Sequence, residues 1–230
     1  MAQRWPEGQI ESPVGGHGGD GRGVGGHILL DRLVLTATAG FALVAFGLLI
    51  WRVTGTTPRA AVAGIVYGLT LAASSVVSLV YNTLFTANKA SLWRFADHIC
   101  IFLMIAGTYT PLSLMAPEDG VGFLLVPIWL MAAVGICLKL WLRLRHERWF
   151  ILFYLAMGWM VLLGLDRLVA TLTPTVLVLV TGGGLAFSAG VISYALSARW
   201  RWGGPVWHTA VLIGLATHFV AIFSFVLPVG

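Results

Sequence analysis

Residues 121–142 read VGFLLVPIWLMAAVGICLKLWL, a run in which Lys139 is the one charged side chain. A helix of about 20 apolar residues is long enough to cross the hydrocarbon core of a bilayer. Over the whole chain of 230 residues, the charged share is 10% and the apolar share is 58%. Soluble domains carry about 25% charged residues. This chain has too few charges to coat a surface that faces water, so the sequence predicts an integral membrane protein.

Further apolar runs lie on both sides of this stretch. They cover residues 32–52, 61–85, 97–116, 149–165, 174–197 and 206–227. Seven spans joined by short loops account well for the length of the chain. The sequence therefore predicts an all-α membrane protein, a seven-transmembrane helix bundle that forms one domain over residues 28–230.

Residues 1–27 differ from the rest of the chain. They are rich in Gly, carry Pro and scattered charges, and lack the apolar segment that a signal peptide needs. We interpret them as a disordered cytoplasmic tail, in which His17 and His27 are solvated rather than bound to metal. Cys100 and Cys137 both lie inside apolar runs, which excludes a disulfide framework and a CxxC metal motif.

The basic residues predict the orientation of the bundle, because cytoplasmic loops are enriched in Lys and Arg. With the N-terminus in the cytoplasm, 11 of the 14 basic residues lie on that side and 3 lie on the other, and the C-terminus is extracytoplasmic. They form short clusters between apolar runs, not one continuous basic face, which excludes a nucleic-acid-binding surface. The cytoplasmic set is Arg4, Arg22, Arg32, Lys89, Arg94, Lys139, Arg143, Arg145, Arg148, Arg199 and Arg201, and the other set is Arg52, Arg59 and Arg167.

The second span carries a polar stripe. Ser74, Ser78 and Asn82 follow one another at intervals of four residues, so they share one face of a helix that ends at the cytoplasmic side. Polar groups at membrane depth are costly and often mark a functional site. Ser and Asn also join helices to one another in membrane bundles, and that structural role remains open for this stripe.

The third and seventh spans carry ionisable residues. Asp97 and His98 stand at the predicted start of the third span, where the helix dipole alone favours an Asp in the first turn. His208 falls in the predicted first turn of the seventh span, and His218 lies ten residues deeper, about 15 Å along the axis. A single His in a bundle is also compatible with a neutral, hydrogen-bonded core residue.

The predicted topology places three of these residues at one depth. Asn82 ends the second span, Asp97 begins the third and His208 begins the seventh, all just inside the cytoplasmic boundary. We therefore predict a polar site at that level. The candidate site residues are Ser78, Asn82, Asp97, His98, His208 and His218.

At these residues the sequence resembles the hemolysin III family, the bacterial branch of the progestin and adipoQ receptor group. Residues 95–111, FADHICIFLMIAGTYTP, are similar to the most recognisable stretch of that family. Ser78 and Asn82 match the end of its second helix, and Trp207, His208 and His218 match its seventh. The resemblance covers about residues 28–227.

The resemblance implies seven helices around a zinc ion near the cytoplasmic face of a bacterial inner membrane. In the family one His of helix two and two His of helix seven hold the ion, and the Asp at the start of helix three lies nearby. Here Asn82 and Gly204 stand at two of the three His positions, so His208 is the one family ligand that remains. Asp97 and His98 point about 100° apart on a helix, so they do not easily replace the lost ligands on one ion.

Three functions are compatible with these residues. We favour a metal-free lipid sensor or regulator of membrane homeostasis, with membrane lipids as partners and without a cofactor. The first alternative is a zinc-dependent lipid amide hydrolase of the ceramidase type, with Asp97 as general base and Ser78 stabilising the oxyanion. The second is a proton-linked channel or transporter, in which the Asp and His residues of the site relay protons.

Overall fold

The structure is a computed structural model that describes residues 25–84, 90–117, 120–142, 147–197 and 200–227. Seven helices in these ranges are long and apolar enough to cross a membrane, which confirms the predicted all-α bundle. The α-helices are α1 Gly26–Val53, α2 Pro58–Leu84, α3 Ala90–Leu114, α4 Leu125–Leu142, α5 Glu147–Gly158, α6 Leu165–Thr171, α7 Pro174–Leu196 and α8 Gly203–Ala221.

Shorter helical turns complete three of the crossings. A 3₁₀ turn, Val121–Leu124, precedes α4, and a π-helical turn, Ile222–Val226, follows α8. The fifth crossing, Trp149–Ala170, is not one continuous α-helix, because the 3₁₀ segment Trp159–Gly164 separates α5 from α6.

Local sequence explains where several helices begin. Gly55 has φ 79°, a left-handed conformation that glycine adopts without strain, and it turns the chain between α1 and α2. Pro58 and Pro174 open α2 and α7 at positions where a backbone N–H would have no helical partner. The hydroxyl of Thr173 caps α7 by accepting a hydrogen bond from the N–H of Val176 at 3.4 Å.

Several helices begin earlier than the apolar runs predicted, among them α1, α3 and α8. Helix α1 begins at Gly26 rather than at residue 32, α3 at Ala90 rather than at residue 97, and α8 at Gly203 rather than at residue 206. Apolar composition marks only the part of a helix in the hydrocarbon core, and the helices extend beyond it. Asp97 and His208 therefore lie beyond the first turns that the sequence predicted for them. Of the predicted tail, only residues 25–27 are described. The orientation of the bundle relative to a membrane remains a prediction.

The helices form a closed circuit. Helix α2 packs against α1 and α3, and α8 packs extensively against α7 and also against α1. Helix α3 contacts α4 and α5, whereas α5 and α6 contact α7 more lightly. One apolar core joins α1, α2 and α8 around Tyr67 and Leu49, and a second joins α3, α4 and α5 around Phe102.

Glycines on α7 allow α8 to come close, because small residues let membrane helices approach one another. A Cβ atom at Gly183 would lie 2.4 Å from the His218 ring, and one at Gly190 would lie 2.9 Å from the Trp207 ring. Gly182, next in the chain to Gly183, has nothing within 4 Å of its Cβ position. The close contact is therefore confined to one face of α7.

Candidate functional site

The N-terminal parts of α1, α3 and α8 meet the C-terminal part of α2 at one end of the bundle, which we call the site end. Here Oδ1 of Asp31, on α1, lies 2.6 Å from Nδ1 of His208, on α8. The two side chains are 13% and 12% exposed, respectively. This distance is typical of a strong, charge-assisted hydrogen bond.

Asp97, on α3, connects His208 on α8 with Ser78 on α2. The hydroxyl of Ser78 donates a hydrogen bond to the Asp97 side chain, and Asp97 interacts electrostatically with His208. The structure thus brings Asp97 and His208, two of the three residues that the sequence placed at one depth, together with Ser78. Because Asp31 joins them from α1, the cluster contains two carboxyl groups, one imidazole and one hydroxyl. We call Asp31, Ser78, Asp97 and His208 the acidic cluster.

Asn82 lies at the edge of this cluster. Its Nδ2 donates to the backbone carbonyl of Ser78 at 2.8 Å and lies 3.4 Å from the Ser78 hydroxyl. Asn82 is therefore hydrogen-bonded within its own helix, and it helps to position the Ser78 hydroxyl, which donates to Asp97. Ser74, the other residue of the stripe, also bonds within α2, to the carbonyl of Leu71 at 3.2 Å.

Gly204 leaves a space beside Asp31. A Cβ atom built on Gly204 would have the three carboxyl atoms Oδ1, Cγ and Oδ2 of Asp31 as its nearest neighbours, at 3.6 to 4.0 Å. These are ordinary van der Waals distances, so a group larger than hydrogen fits there. The missing side chain at Gly204 thus leaves room for a Cβ atom beside the Asp31 carboxyl group.

His98, also predicted as a site residue, faces away from the acidic cluster. Its electrostatic neighbours are Lys139, on α4, and Arg94, on its own helix. Its backbone carbonyl accepts a hydrogen bond of 3.0 Å from the Tyr154 hydroxyl, on α5. The angle of about 100° between successive helical residues separates His98 from Asp97, as the sequence indicated.

Lys139 departs from the sequence interpretation, which counted it among the basic residues that flank the spans. Its side chain is 0% exposed, and its Nζ lies 4.3 Å from the centre of the Phe150 ring. It is therefore a buried cation that packs between α4 and α5.

His218 lies in the seam between α7 and α8. Its Nε2 is 3.0 Å from the backbone carbonyl oxygen of Val180, and its ring packs edge-on against Phe187. The ten residues that separate His218 from His208 place it about 15 Å deeper. These contacts are those of a hydrogen-bonded residue in a helix interface.

The residues present do not fit the zinc site that the resemblance implies. Catalytic zinc normally needs three protein ligands. Gly204 offers no side chain, and the Asn82 side chain is hydrogen-bonded to Ser78. Among the described residues, no group of three His, Cys, Asp or Glu side chains is arranged to hold a metal ion.

Sequence reasoning missed Asp31. The residue immediately precedes the predicted first span and was not among the candidate site residues. Its predicted depth is a signal that could have identified it, since the first span begins at the same predicted boundary as the third and the seventh. The earlier start of α1 places Asp31 inside a helix and beside His208.

Comparisons with known proteins identify relatives of this chain. A family model described as Haemolysin-III related matches residues 34–219. Hemolysin-3 of Bacillus cereus is 32% identical over 173 residues, which cover 75% of this chain and 78% of that protein. The Hemolysin-3 homolog of Bacillus subtilis (strain 168) is 28% identical over 165 residues, which cover 71% and 77% of the two chains. The human Monocyte to macrophage differentiation factor is 28% identical over 171 residues, which cover 70% and 68%.

Proposed function

Because the chain belongs to the Haemolysin-III related family, we propose that it is a metal-free, non-catalytic membrane protein that senses lipids or regulates membrane composition. The proposal places it in the plasma membrane of a bacterial cell, where membrane lipids are its partners. The acidic cluster serves as its ligand site.

The observation that carries this proposal is the contact between Asp31 and His208. In the family that the sequence resembles, the imidazole at the position of His208 binds zinc together with two other His side chains. In this chain its Nδ1 lies 2.6 Å from a carboxylate oxygen, and the positions of the two His neighbours hold Asn82 and Gly204. The hydrogen-bonding groups at this end are satisfied largely by one another, which suits a polar site that operates without an ion.

A lipid amide hydrolase remains the second candidate, because Ser78 and Asp97 are hydrogen-bonded to one another and lie near His208. This candidate is weakened because Asn82 and Gly204 stand at two of the three positions where the family has zinc-binding His. The proton-relay alternative gains no support from the geometry, because His98 and His218 make their contacts away from the acidic cluster.

Metal analysis of the purified protein tests the proposal. The wild type is measured beside the Asn82→His, Gly204→His double variant, which restores His at both replaced positions and serves as the positive control. We expect zinc well below one ion per chain in the wild type and more zinc in the variant. A chelator should leave the melting temperature of the wild type unchanged, because no ion supports its fold.

Stoichiometric zinc in the wild type, together with a lower melting temperature in chelator, would overturn the proposal in favour of the hydrolase. Release of fatty acid from ceramide by the purified wild type would do the same. In cells, loss of the gene should change the fatty-acid composition of the membrane, and the wild-type gene should restore it.

A further inference from the structure

The connection between α7 and α8 presents an arginine between two tryptophans at the site end. Residues 200–202 read WRW, and all three are exposed. We propose that this connection, residues 200–203, binds the phosphate headgroup of anionic phospholipids at the membrane surface. We call it the WRW turn. The inference goes beyond the proposed function, because it concerns the lipid around the bundle and not the ligand of the acidic cluster.

The backbone of the WRW turn has a defined geometry. The N–H of Gly203 donates to the carbonyl oxygen of Trp200 at 2.9 Å, which closes a turn of four residues. Trp202 has φ −89° and ψ −1°, the values typical of the third residue of a type I turn. Arg201 and Trp202 therefore form the tip of the turn, and Trp200 stands at its base.

Contacts on two sides hold the turn in place. Gly203 packs so closely on the end of α7 that a Cβ atom there would lie 2.6 Å from Cα of Ser197. The hydroxyl of Ser193 donates to the Gly203 carbonyl at 2.9 Å. On the side of α1, the Trp202 ring packs edge-on against the His27 ring, with centres 6.1 Å apart. Because the turn is already ordered, binding a headgroup costs little further ordering of the chain.

The charge of this region is positive. Residues 167–230 contain no Asp or Glu, so neither α7 nor α8 brings a negative side chain to the turn. On α1, Asp31 is mostly buried and bonded to His208. The guanidinium of Arg201 is exposed and has no hydrogen bond or ion pair within the described ranges. A guanidinium is always charged, and its fork of N–H donors matches two phosphate oxygens.

The tryptophans place the turn at the level of the headgroups. Trp is enriched at membrane–water interfaces, where its ring contacts apolar chains and its N–H meets polar groups. Trp200 and Trp202 are each 45% exposed. At the same end of the bundle, Trp141 near the end of α4 and Trp149 near the start of α5 are also exposed. Arg201 therefore lies where lipid phosphates are found.

Native mass spectrometry of the detergent-solubilised protein tests this proposal with phosphatidylglycerol and phosphatidylcholine of identical acyl chains. Both lipids have the phosphate, but only phosphatidylcholine carries a positive charge beside it. We expect the wild type to bind phosphatidylglycerol about fivefold more tightly, the contribution of one basic side chain near anionic lipid. Arg201→Gln should remove most of this preference. Arg201→Lys should retain more of it, because Lys keeps the charge without the fork.

Arg59→Gln is the matched control. Arg59 is an exposed arginine at the start of α2, at the opposite end of the bundle, and no Trp is next to it in the chain. This variant loses the same charge as Arg201→Gln, so it measures the effect of net charge alone. We expect it to change the preference much less.

Equal affinity of the wild type for the two lipids would overturn the proposal, and this comparison needs no variant to fold. A preference that persists in Arg201→Gln would also overturn it, as would an equal loss in Arg59→Gln. Soluble glycerol phosphate serves as a competitor. If it displaced phosphatidylglycerol at equal concentration, the ligand would be a free phosphate and the lipid proposal would be rejected.

Discussion

Asp31 and His208 lie 177 positions apart in the chain, and their side chains meet at 2.6 Å. The contact joins the first helix of the bundle to the last and closes the circuit of helices at the site end. At the opposite end, the Arg52 side chain donates to the backbone carbonyl of Leu227 at 3.1 Å and lies over the Phe223 ring. Polar contacts therefore connect α1 to the last crossing at both ends of their interface.

A double-mutant cycle on this pair should show strong coupling. Asp31→Asn and His208→Gln should each lower the free energy of unfolding, and the double variant should cost less than the sum of the two. We expect a coupling energy of about 1.5 to 3 kcal/mol, the range for hydrogen bonds to charged groups. Chemical unfolding in detergent micelles measures it. Additive effects would show that the pair contributes no net stability.

The seam between α7 and α8 offers a comparison of two adjacent glycines. Gly183→Ala places a methyl group 2.4 Å from the His218 ring, so the ring must move or the helices must separate. We expect a loss of about 1 to 3 kcal/mol, as for overpacking in a core. Gly182→Ala is the matched control, because nothing lies within 4 Å of its Cβ position. Thermal unfolding of both variants measures the difference, and equal melting temperatures would contradict the close contact.

The Tyr109 hydroxyl stabilises the break in the fifth crossing. It accepts a hydrogen bond of 2.8 Å from the N–H of Val161, and it lies 2.8 and 3.1 Å from the carbonyl oxygens of Gly158 and Met157. Tyr109→Phe removes these bonds at a buried position. We expect a cost of about 2 kcal/mol, and a smaller one for Tyr154→Phe, which loses its bond to the His98 carbonyl. A larger loss of stability in Tyr154→Phe would contradict this interpretation.

The number and nature of the helices could be predicted from the sequence, because the cost of placing backbone or charge in lipid leaves long apolar helices as the solution. The ends of the helices were harder to predict from the sequence. The chain before Asp31 is rich in Gly, and apolar composition does not show that α1 begins at Gly26. The break in the fifth crossing at Trp159–Gly164 could not be predicted either, because it depends on the Tyr109 hydroxyl of another helix.

The candidate site was only partly predictable, for a related reason. Depth along the bundle follows from the order of the spans, and it placed Asn82, Asp97 and His208 together. Direction around each helix depends on which neighbours pack against it, and one sequence does not contain that information. Asp97 faces α2 and α8, whereas His98, the next residue, faces α4. The burial of Lys139 follows from the same packing and was missed for the same reason.

Asn82 provides the last test, because it stands where the resemblance implies a zinc ligand and instead positions a hydroxyl. Asn82→Ala removes the bonds to the Ser78 carbonyl and hydroxyl, and it should lower the free energy of unfolding by about 1 kcal/mol. Thr36→Ala is the control, since it removes an exposed hydrogen bond of the same helical spacing, from Thr36 to the Arg32 carbonyl, and should have a smaller effect. Thermal unfolding with and without chelator measures both variants. If Asn82 acts only through hydrogen bonds, chelator should not change its contribution. A loss of stability in Asn82→Ala that disappears in chelator would show that Asn82 supports a bound ion.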